Sequence, residues 1–118
     1  MRNFMKKFLF CCILIAASLI TLHSQEQNPV VTIINDTGYT VRYLFISPVE
    51  DETWEEDFLG REVLPDGESF EVALQPPLSV TNRYDILLID EEGDSYSKWN
   101  VLITQNSVIE FTLNDLDY

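Results

Sequence analysis

Short runs of β-branched and aromatic residues, separated by turn-forming residues, make up most of this chain from residue 30 onward. Apolar and polar residues alternate over residues 69–74, which is typical of a strand that buries one face. Residues 83–89 are apolar apart from Arg83 and Asp85, which favours a central strand that is covered on both faces. Strands this short and this closely spaced predict an all-β domain, an antiparallel β-sandwich of about seven strands.

The predicted strands lie at regular intervals along the chain. They cover, in order, residues 30–34, 39–46, 69–74, 83–89, 95–103 and 108–113. Turn sequences rich in Asn, Asp, Gly and Pro separate several of them, at residues 35–38, 64–67 and 90–93. In the last strand we expect Ile109, Phe111 and Leu113 to point inward, because they alternate with polar residues.

The segment from Pro48 to Arg61 differs from the rest, and we predict a long crossing loop that contains one short helix. Thr53 has a glutamate three residues later, and Gly60 follows, which is the pattern of a capping box with a C-terminal glycine. Trp54 and Phe58 are four residues apart, so one helical face could dock both on the sheet.

The first 24 residues have the layout of a secretory signal peptide. Arg2, Lys6 and Lys7 precede an apolar stretch at residues 8–22, and Ser24 is a small residue at the expected cleavage point. The apolar stretch is shorter than the roughly 20 residues that a membrane span prefers. We therefore predict a signal peptide at 1–24 and a single β-sandwich domain at 25–118, periplasmic or extracellular and not stably membrane-associated after cleavage. An uncleaved anchor and a lipid attached at Cys12 are the alternatives.

The residues after position 24 exclude several kinds of catalysis. Both cysteines and the one histidine, Cys11, Cys12 and His23, lie in the leader. The domain therefore has no thiol or imidazole for nucleophilic catalysis and none for a cysteine- or histidine-based zinc site. We predict that the protein is not an enzyme, with a hydrolase that uses carboxylates alone as a distant alternative.

The domain is strongly acidic. Residues 25–118 contain all 20 acidic residues and only four basic ones, Arg42, Arg61, Arg83 and Lys98, a formal charge of −16. This balance excludes the basic surface that nucleic-acid binding needs, and it disfavours binding to anionic membranes. A basic protein partner, a divalent cation or simple solubility would each account for it.

The triplet Asp36-Thr37-Gly38 is similar to the catalytic motif of aspartic proteases. However, Asn35 stands where that family has an apolar residue, and Tyr39 stands where it has a small one. Asp and Gly are also ordinary turn residues, so we interpret the triplet as a hairpin turn.

The candidate binding residues come from the long loop. We predict a non-enzymatic module that contacts a protein partner through Trp54, Glu55, Asp57 and Phe58. Trp54 and Trp99 could also stack on sugars, although such residues more often pack against a sheet.

The alternative function is Ca²⁺ binding by acidic loops, and Ca²⁺ is the one cofactor that the sequence suggests. The candidate ligands are Asp90, Glu92 and Asp94, or else Asp51 together with Glu55 and Asp57. Carboxylates on loops at one end of a sandwich can supply the six to eight oxygens that Ca²⁺ needs. Neither group has the spacing of an EF-hand loop.

Four short motifs follow one another along the domain, at residues 35–38, 47–48, 54–60 and 84–86. They read Asn-x-Thr-Gly, then Ser-Pro, then Trp-x-x-Asp-x-Leu-Gly, then Tyr-Asp-Ile. Together they resemble the pattern of a family of small, exported, largely uncharacterised bacterial β-sandwich proteins. The resemblance implies export and a compact sandwich, and it contributes no activity.

Overall fold

A computed structural model describes residues 28–75 and 82–118, and the predicted signal peptide lies outside the described residues. The described chain forms six strands and one short 3-10 helix. The strands are β1 Val30–Asp36, β2 Val41–Pro48, β3 Ser69–Ala73, β4 Arg83–Asp90, β5 Ser95–Leu102 and β6 Asn106–Thr112. They form two three-stranded sheets, in the orders β3-β1-β6 and β2-β4-β5. The predicted all-β fold is therefore confirmed.

The two sheets differ in strand direction. In the sheet β2-β4-β5 both pairings are antiparallel, and β4, which contains the apolar run at residues 86–89, is central, as expected. In the sheet β3-β1-β6, β1 is antiparallel to β3 and parallel to β6. The fold is thus mostly antiparallel, with one exception between the first and last strands.

The turn after β1 joins the two sheets and does not form the hairpin that the sequence suggested. β1 pairs with β3 and β6, whereas β2 pairs with β4, so the chain must cross between the sheets here. The side chain of Asn35 holds the crossing. Its Nδ2 donates to the carbonyls of Tyr39 at 2.7 Å and Leu64 at 2.8 Å, and its Oδ1 accepts from the amide and hydroxyl of Thr37. Gly38 provides the positive φ of 88° that the tight turn requires.

Alternate side chains from both sheets form one hydrophobic core. The largest fully buried members include Tyr84, Tyr96 and Phe111. Ile109 and Phe111 point inward as predicted, but Leu113 is 51% exposed. The alternation ends because the strand ends at Thr112, whose side chain caps the 3-10 helix Leu113–Asp115.

The loop after β2 contains no helix within residues 49–62, so the one short helix of the described chain lies elsewhere than predicted. The loop instead bonds to the edge of β2. Asp57 Oδ1 accepts from the amides of Leu44 at 2.9 Å and Leu59 at 3.0 Å, and the Phe58 amide donates to the Leu44 carbonyl at 2.8 Å. These bonds satisfy groups on an edge strand that would otherwise be unpaired, and this tertiary gain outweighs the weak local preference of the capping box.

Candidate binding site

Four aromatic side chains form a row across the outer face of the sheet β2-β4-β5, and we call them the aromatic row. They are Tyr43 and Phe45 on β2, Trp54 from the long loop and Trp99 on β5. Successive ring centroids are 6.4, 6.2 and 5.9 Å apart, which are normal distances for aromatic contacts. Trp99, at one end of the row, is 64% exposed.

A bulge in β5 lies directly at Trp99. Trp99 and Asn100 lie opposite the single residue Asp85 of β4, where the pairing register shifts. Asn100 has a φ of 56°, and its amide donates to Asp85 Oδ1 at 2.8 Å. Before the bulge, Tyr96 is buried in the core; after it, Ile103 is buried instead. The bulge thus changes which residues face inward and leaves Trp99 on the outer face.

A cleft of about 130 Å³ lies beside the two tryptophans. It is lined by Ser47, Asp51, Glu52, Thr53, Trp54, Asp85 and Trp99. The lining therefore combines two indole rings with three carboxylates and two hydroxyls, and it includes no cationic side chain. Such a surface can stack against a flat group and accept several hydrogen bonds at once.

Ser47 and Asp85 are neighbours in the cleft because they are paired across β2 and β4. Ser47 is only 3% exposed, and its Oγ has no hydrogen-bond partner among the described residues. A buried hydroxyl without a partner is costly, by about 1–3 kcal/mol, and therefore needs an explanation.

The acidic edge of the cleft carries close like charges. A hydrogen bond to the Asp51 carboxylate and the negative charge of that group raise the pKa of Glu55, with smaller contributions from desolvation and Glu56. Because Asp51 lines the cleft, this crowding extends to its edge. Like charges held this close favour a bound cation.

The four predicted binding residues have different positions. Trp54 lies in the aromatic row and in the cleft. Asp57 bonds the loop to β2, and Phe58 packs against the hydrophobic core, so both have structural contacts. Glu55 is exposed and lies, with Phe58, on a second depression of about 270 Å³ that shares no lining residue with the cleft. The structure does not bring the four together as one surface.

The predicted Ca²⁺ ligands are not clustered either. Asp90 is 2% exposed, and its Oδ1 accepts from the amides of Glu92 at 2.9 Å and Asp94 at 3.0 Å. Its Oδ2 accepts from the hydroxyl of Tyr96 at 2.9 Å. Over residues 28–75 and 82–118, no three His, Cys, Asp or Glu side chains are grouped closely enough to hold a metal ion. Asp90 thus closes the turn between β4 and β5.

Sequence reasoning did not identify Ser47, Asp85, Tyr43 or Phe45 as site residues. The signal that could have identified them is the alternation of side chains between the two faces of a strand. Positions 43, 45 and 47 share one face of β2, and position 85 pairs with 47 once the register is known. The register depends on which strands pair, and the sequence alone did not specify that β2 pairs with β4.

No family model and no curated protein matches this sequence. Among solved structures, the fold is similar to the NMR structure of a protein from Eubacterium rectale. The TM-score is 0.53 at 11% identity, over 73% of this chain and 78% of that one. This likeness concerns the fold alone. Within the described ranges, no helix has the length and apolar character needed to cross a membrane.

Proposed function

We propose that this protein is an exported, non-enzymatic binding module that captures a basic protein partner with the aromatic row and the adjoining cleft. The observation that supports this function most directly is the exposed indole of Trp99, which lies beside Trp54 and a cleft lined by three carboxylates. Exposed tryptophans in such positions are over-represented among the residues that dominate binding energy at protein interfaces.

The charge of the domain supports a basic partner. With −16 on residues 25–118, the protein attracts cationic surfaces over distances of about a Debye length, roughly 8 Å at physiological salt. Complementary charge mainly raises the rate of encounter and excludes acidic competitors. The aromatic row would then provide the apolar area that holds the partner in place.

Export is part of the proposal and rests on the pattern of residues 1–24. We expect the protein purified from the native cell envelope or medium to begin at Gln25. Intact-mass measurement and N-terminal sequencing check this directly. An uncleaved N-terminus in the mature pool would contradict the signal-peptide prediction.

The binding function can be tested with Trp99→Ala and a matched control, Tyr118→Ala. Both residues are exposed aromatics, but only Trp99 belongs to the aromatic row. Tagged wild-type and variant proteins would be incubated with native envelope extract, cross-linked, and compared by quantitative mass spectrometry. We expect Trp99→Ala to lower capture of the specific partner about tenfold, the effect of losing roughly 1.4 kcal/mol, and Tyr118→Ala to leave it unchanged. Equal capture by all three proteins would contradict the proposed surface.

A further inference from the structure

We propose that the cleft beside Trp54 and Trp99 receives the guanidinium group of an arginine side chain from the partner protein. This inference rests on the proposed function and names the chemical group that the site recognises. It follows from the acceptors inside the cleft, from the shape of the aromatic surface and from the balance of charge. The side chains that line or adjoin the cleft provide the evidence for each.

The buried hydroxyl of Ser47 calls for a ligand. Ser47 lines the cleft and is only 3% exposed. Its Oγ has no hydrogen-bond partner among the described residues. A ligand that donates a hydrogen bond would satisfy this group. Guanidinium has five N–H donors and no acceptor, so it suits a cleft whose polar lining consists mainly of acceptors.

Asp85 is held in place for such a ligand. Its Oδ1 is engaged by the amide of Asn100 at 2.8 Å, which fixes the carboxylate next to its cross-strand neighbour Ser47. The second oxygen, Oδ2, gives the carboxylate further accepting capacity. A planar donor fork can therefore reach Asp85 and Ser47 together, an arrangement that the single ammonium of lysine matches less well.

Charge around the cleft favours a cation. Asp51 and Glu52 on the rim add two carboxylates to that of Asp85. The nearby Arg83 does not line the cleft and donates through Nη1 to the carbonyl of Asn100 at 3.2 Å. A neutral sugar would gain from stacking but not from these charges.

The aromatic row already binds one guanidinium. The Cζ atom of Arg42 lies 5.9 Å from the centroid of the Tyr43 ring, within the range of a cation–π contact. Trp99 at the opposite end is more exposed than Tyr43, and indole is the better cation–π partner. The same stacking is therefore available to an external arginine at the end where the carboxylates lie.

Tryptophan fluorescence provides a selective test, because Trp54 and Trp99 are the two tryptophans of the chain and both line the cleft. The full mature protein would be titrated with L-argininamide at low ionic strength, with L-lysinamide and a neutral cellohexaose as comparison probes. We expect a saturable change with L-argininamide, with a Kd on the order of 1 mM, and about fivefold weaker binding of L-lysinamide.

Two variants test the acceptors of the cleft, and a third serves as the control. Asp85→Asn and Ser47→Ala are expected to weaken L-argininamide binding about fivefold or more, whereas Glu110→Gln is expected to leave it unchanged. Glu110 is an exposed acid on the opposite sheet, so its substitution removes the same charge without touching the cleft. Circular dichroism and thermal unfolding would be recorded for each variant, and Ser47→Ala tests the site even if Asp85→Asn disturbs the bulge.

Several outcomes would overturn the inference. They are an absent response to L-argininamide, equal binding of L-lysinamide, a response to cellohexaose but not to L-argininamide, or equal weakening by Glu110→Gln and Asp85→Asn. Any of these results, combined with loss of partner capture by Trp99→Ala, would leave the proposed binding function standing and reject only the arginine assignment. Unchanged capture by Trp99→Ala would reject the proposed function itself.

Discussion

The indole rings of Trp54 and Trp99 lie 5.9 Å apart between centroids and join the two edges of one sheet. Trp54 comes from the loop that follows edge strand β2, whereas Trp99 lies on the opposite edge strand, β5. The loop thus reaches across central strand β4. This contact makes a continuous surface from side chains that are distant in the sequence.

We expect this pair to be energetically coupled. In a double-mutant cycle with Trp54→Ala and Trp99→Ala, the coupling energy should be about 0.5–1.5 kcal/mol, the usual range for aromatic contacts. Urea unfolding of the wild type, the single variants and the double variant measures it. Strictly additive effects would mean that the two rings do not support each other in solution.

Ser47→Ala should not destabilise the free protein. Because its Oγ has no partner among the described residues, removing it should leave the free energy of unfolding unchanged or raise it by about 1 kcal/mol. The matched control is Thr37→Val, which removes a buried hydroxyl that bonds to Asn35 Oδ1 at 2.7 Å and should cost about 1–2 kcal/mol. Thermal unfolding of both variants provides the comparison. A clear loss of stability in Ser47→Ala would show that the hydroxyl has a partner in solution.

Asp57→Ala should destabilise the protein, whereas Glu56→Ala should not. Asp57→Ala removes the acceptor for the amides of Leu44 and Leu59 and should lower the free energy of unfolding by about 1–3 kcal/mol. Glu56→Ala, at an exposed position in the same loop, should stay within about 0.5 kcal/mol. Chemical denaturation distinguishes them, and equal effects would contradict the structural role of Asp57.

Asn35→Ala should be among the most damaging single changes in the described chain. The side chain is fully buried, and its loss removes four hydrogen bonds. Two of them run from Nδ2 to the carbonyls of Tyr39 and Leu64, and two run from the amide and hydroxyl of Thr37 to Oδ1. We expect a loss of about 3 kcal/mol or more, since several buried groups lose hydrogen bonds together. Asp36→Ala, at the adjacent exposed position, serves as the control and should have little effect on the urea midpoint. Similar midpoints for both variants would argue against the Asn35 network.

Stability should fall above pH 10 because of Tyr96. Burial, followed by the hydrogen bond to Asp90 and the charge of that group, raises the pKa of the Tyr96 phenol from 10 to about 12. The unfolded chain releases this proton near pH 10, whereas the folded protein keeps it until about pH 12. The stabilisation is therefore complete below pH 10 and is lost as the pH rises from 10 to 12.

The measurement is urea unfolding at pH 9 and pH 11 for wild type and Tyr96→Phe. Between pH 9 and pH 11 the free energy of unfolding should fall by about 1.4 kcal/mol more in the wild type than in the variant. The difference corresponds to about one pH unit, because pH 11 lies one unit above the pKa of Tyr96 in the unfolded chain and is still below its pKa in the folded protein. The other tyrosines are present in both proteins, so their contribution to the pH dependence of stability cancels in the comparison. Parallel losses in both proteins would rule out the assigned role of Tyr96.

Much of the fold could be predicted from the sequence because strand formation leaves a local signal. Alternation in β3 and the apolar run of β4 each indicated a strand, and β4 is central as predicted. Turns also follow β1 and β4 where the turn residues indicated them, although the first is a crossing between the sheets and not a hairpin. These features depend on a residue's own side chain and its near neighbours, which is the information that a single sequence contains.

The long loop shows where local reasoning failed. The capping box at Thr53 predicts a helical turn of small intrinsic stability. In the folded protein the Asp57 carboxylate and the Phe58 amide bond to Leu44 on the edge of β2 instead. Those bonds exist only once β2 is in its sheet, so no window of the sequence around Thr53 could reveal them.

The residues after position 24 already limit the chemistry that the domain can use, because they include 20 acidic side chains and no thiol or imidazole. Their alternation also indicates that the domain is built from strands. Which of these acidic side chains line the cleft depends on the tertiary structure. The pairing of β2 with β4 sets Ser47 beside Asp85, and the bulge in β5 places Trp99 and Asn100 opposite Asp85. Composition and alternation are local properties of the chain, but strand register and loop docking are contacts between distant residues. Only the folded chain therefore brings two tryptophans and three carboxylates into one cleft.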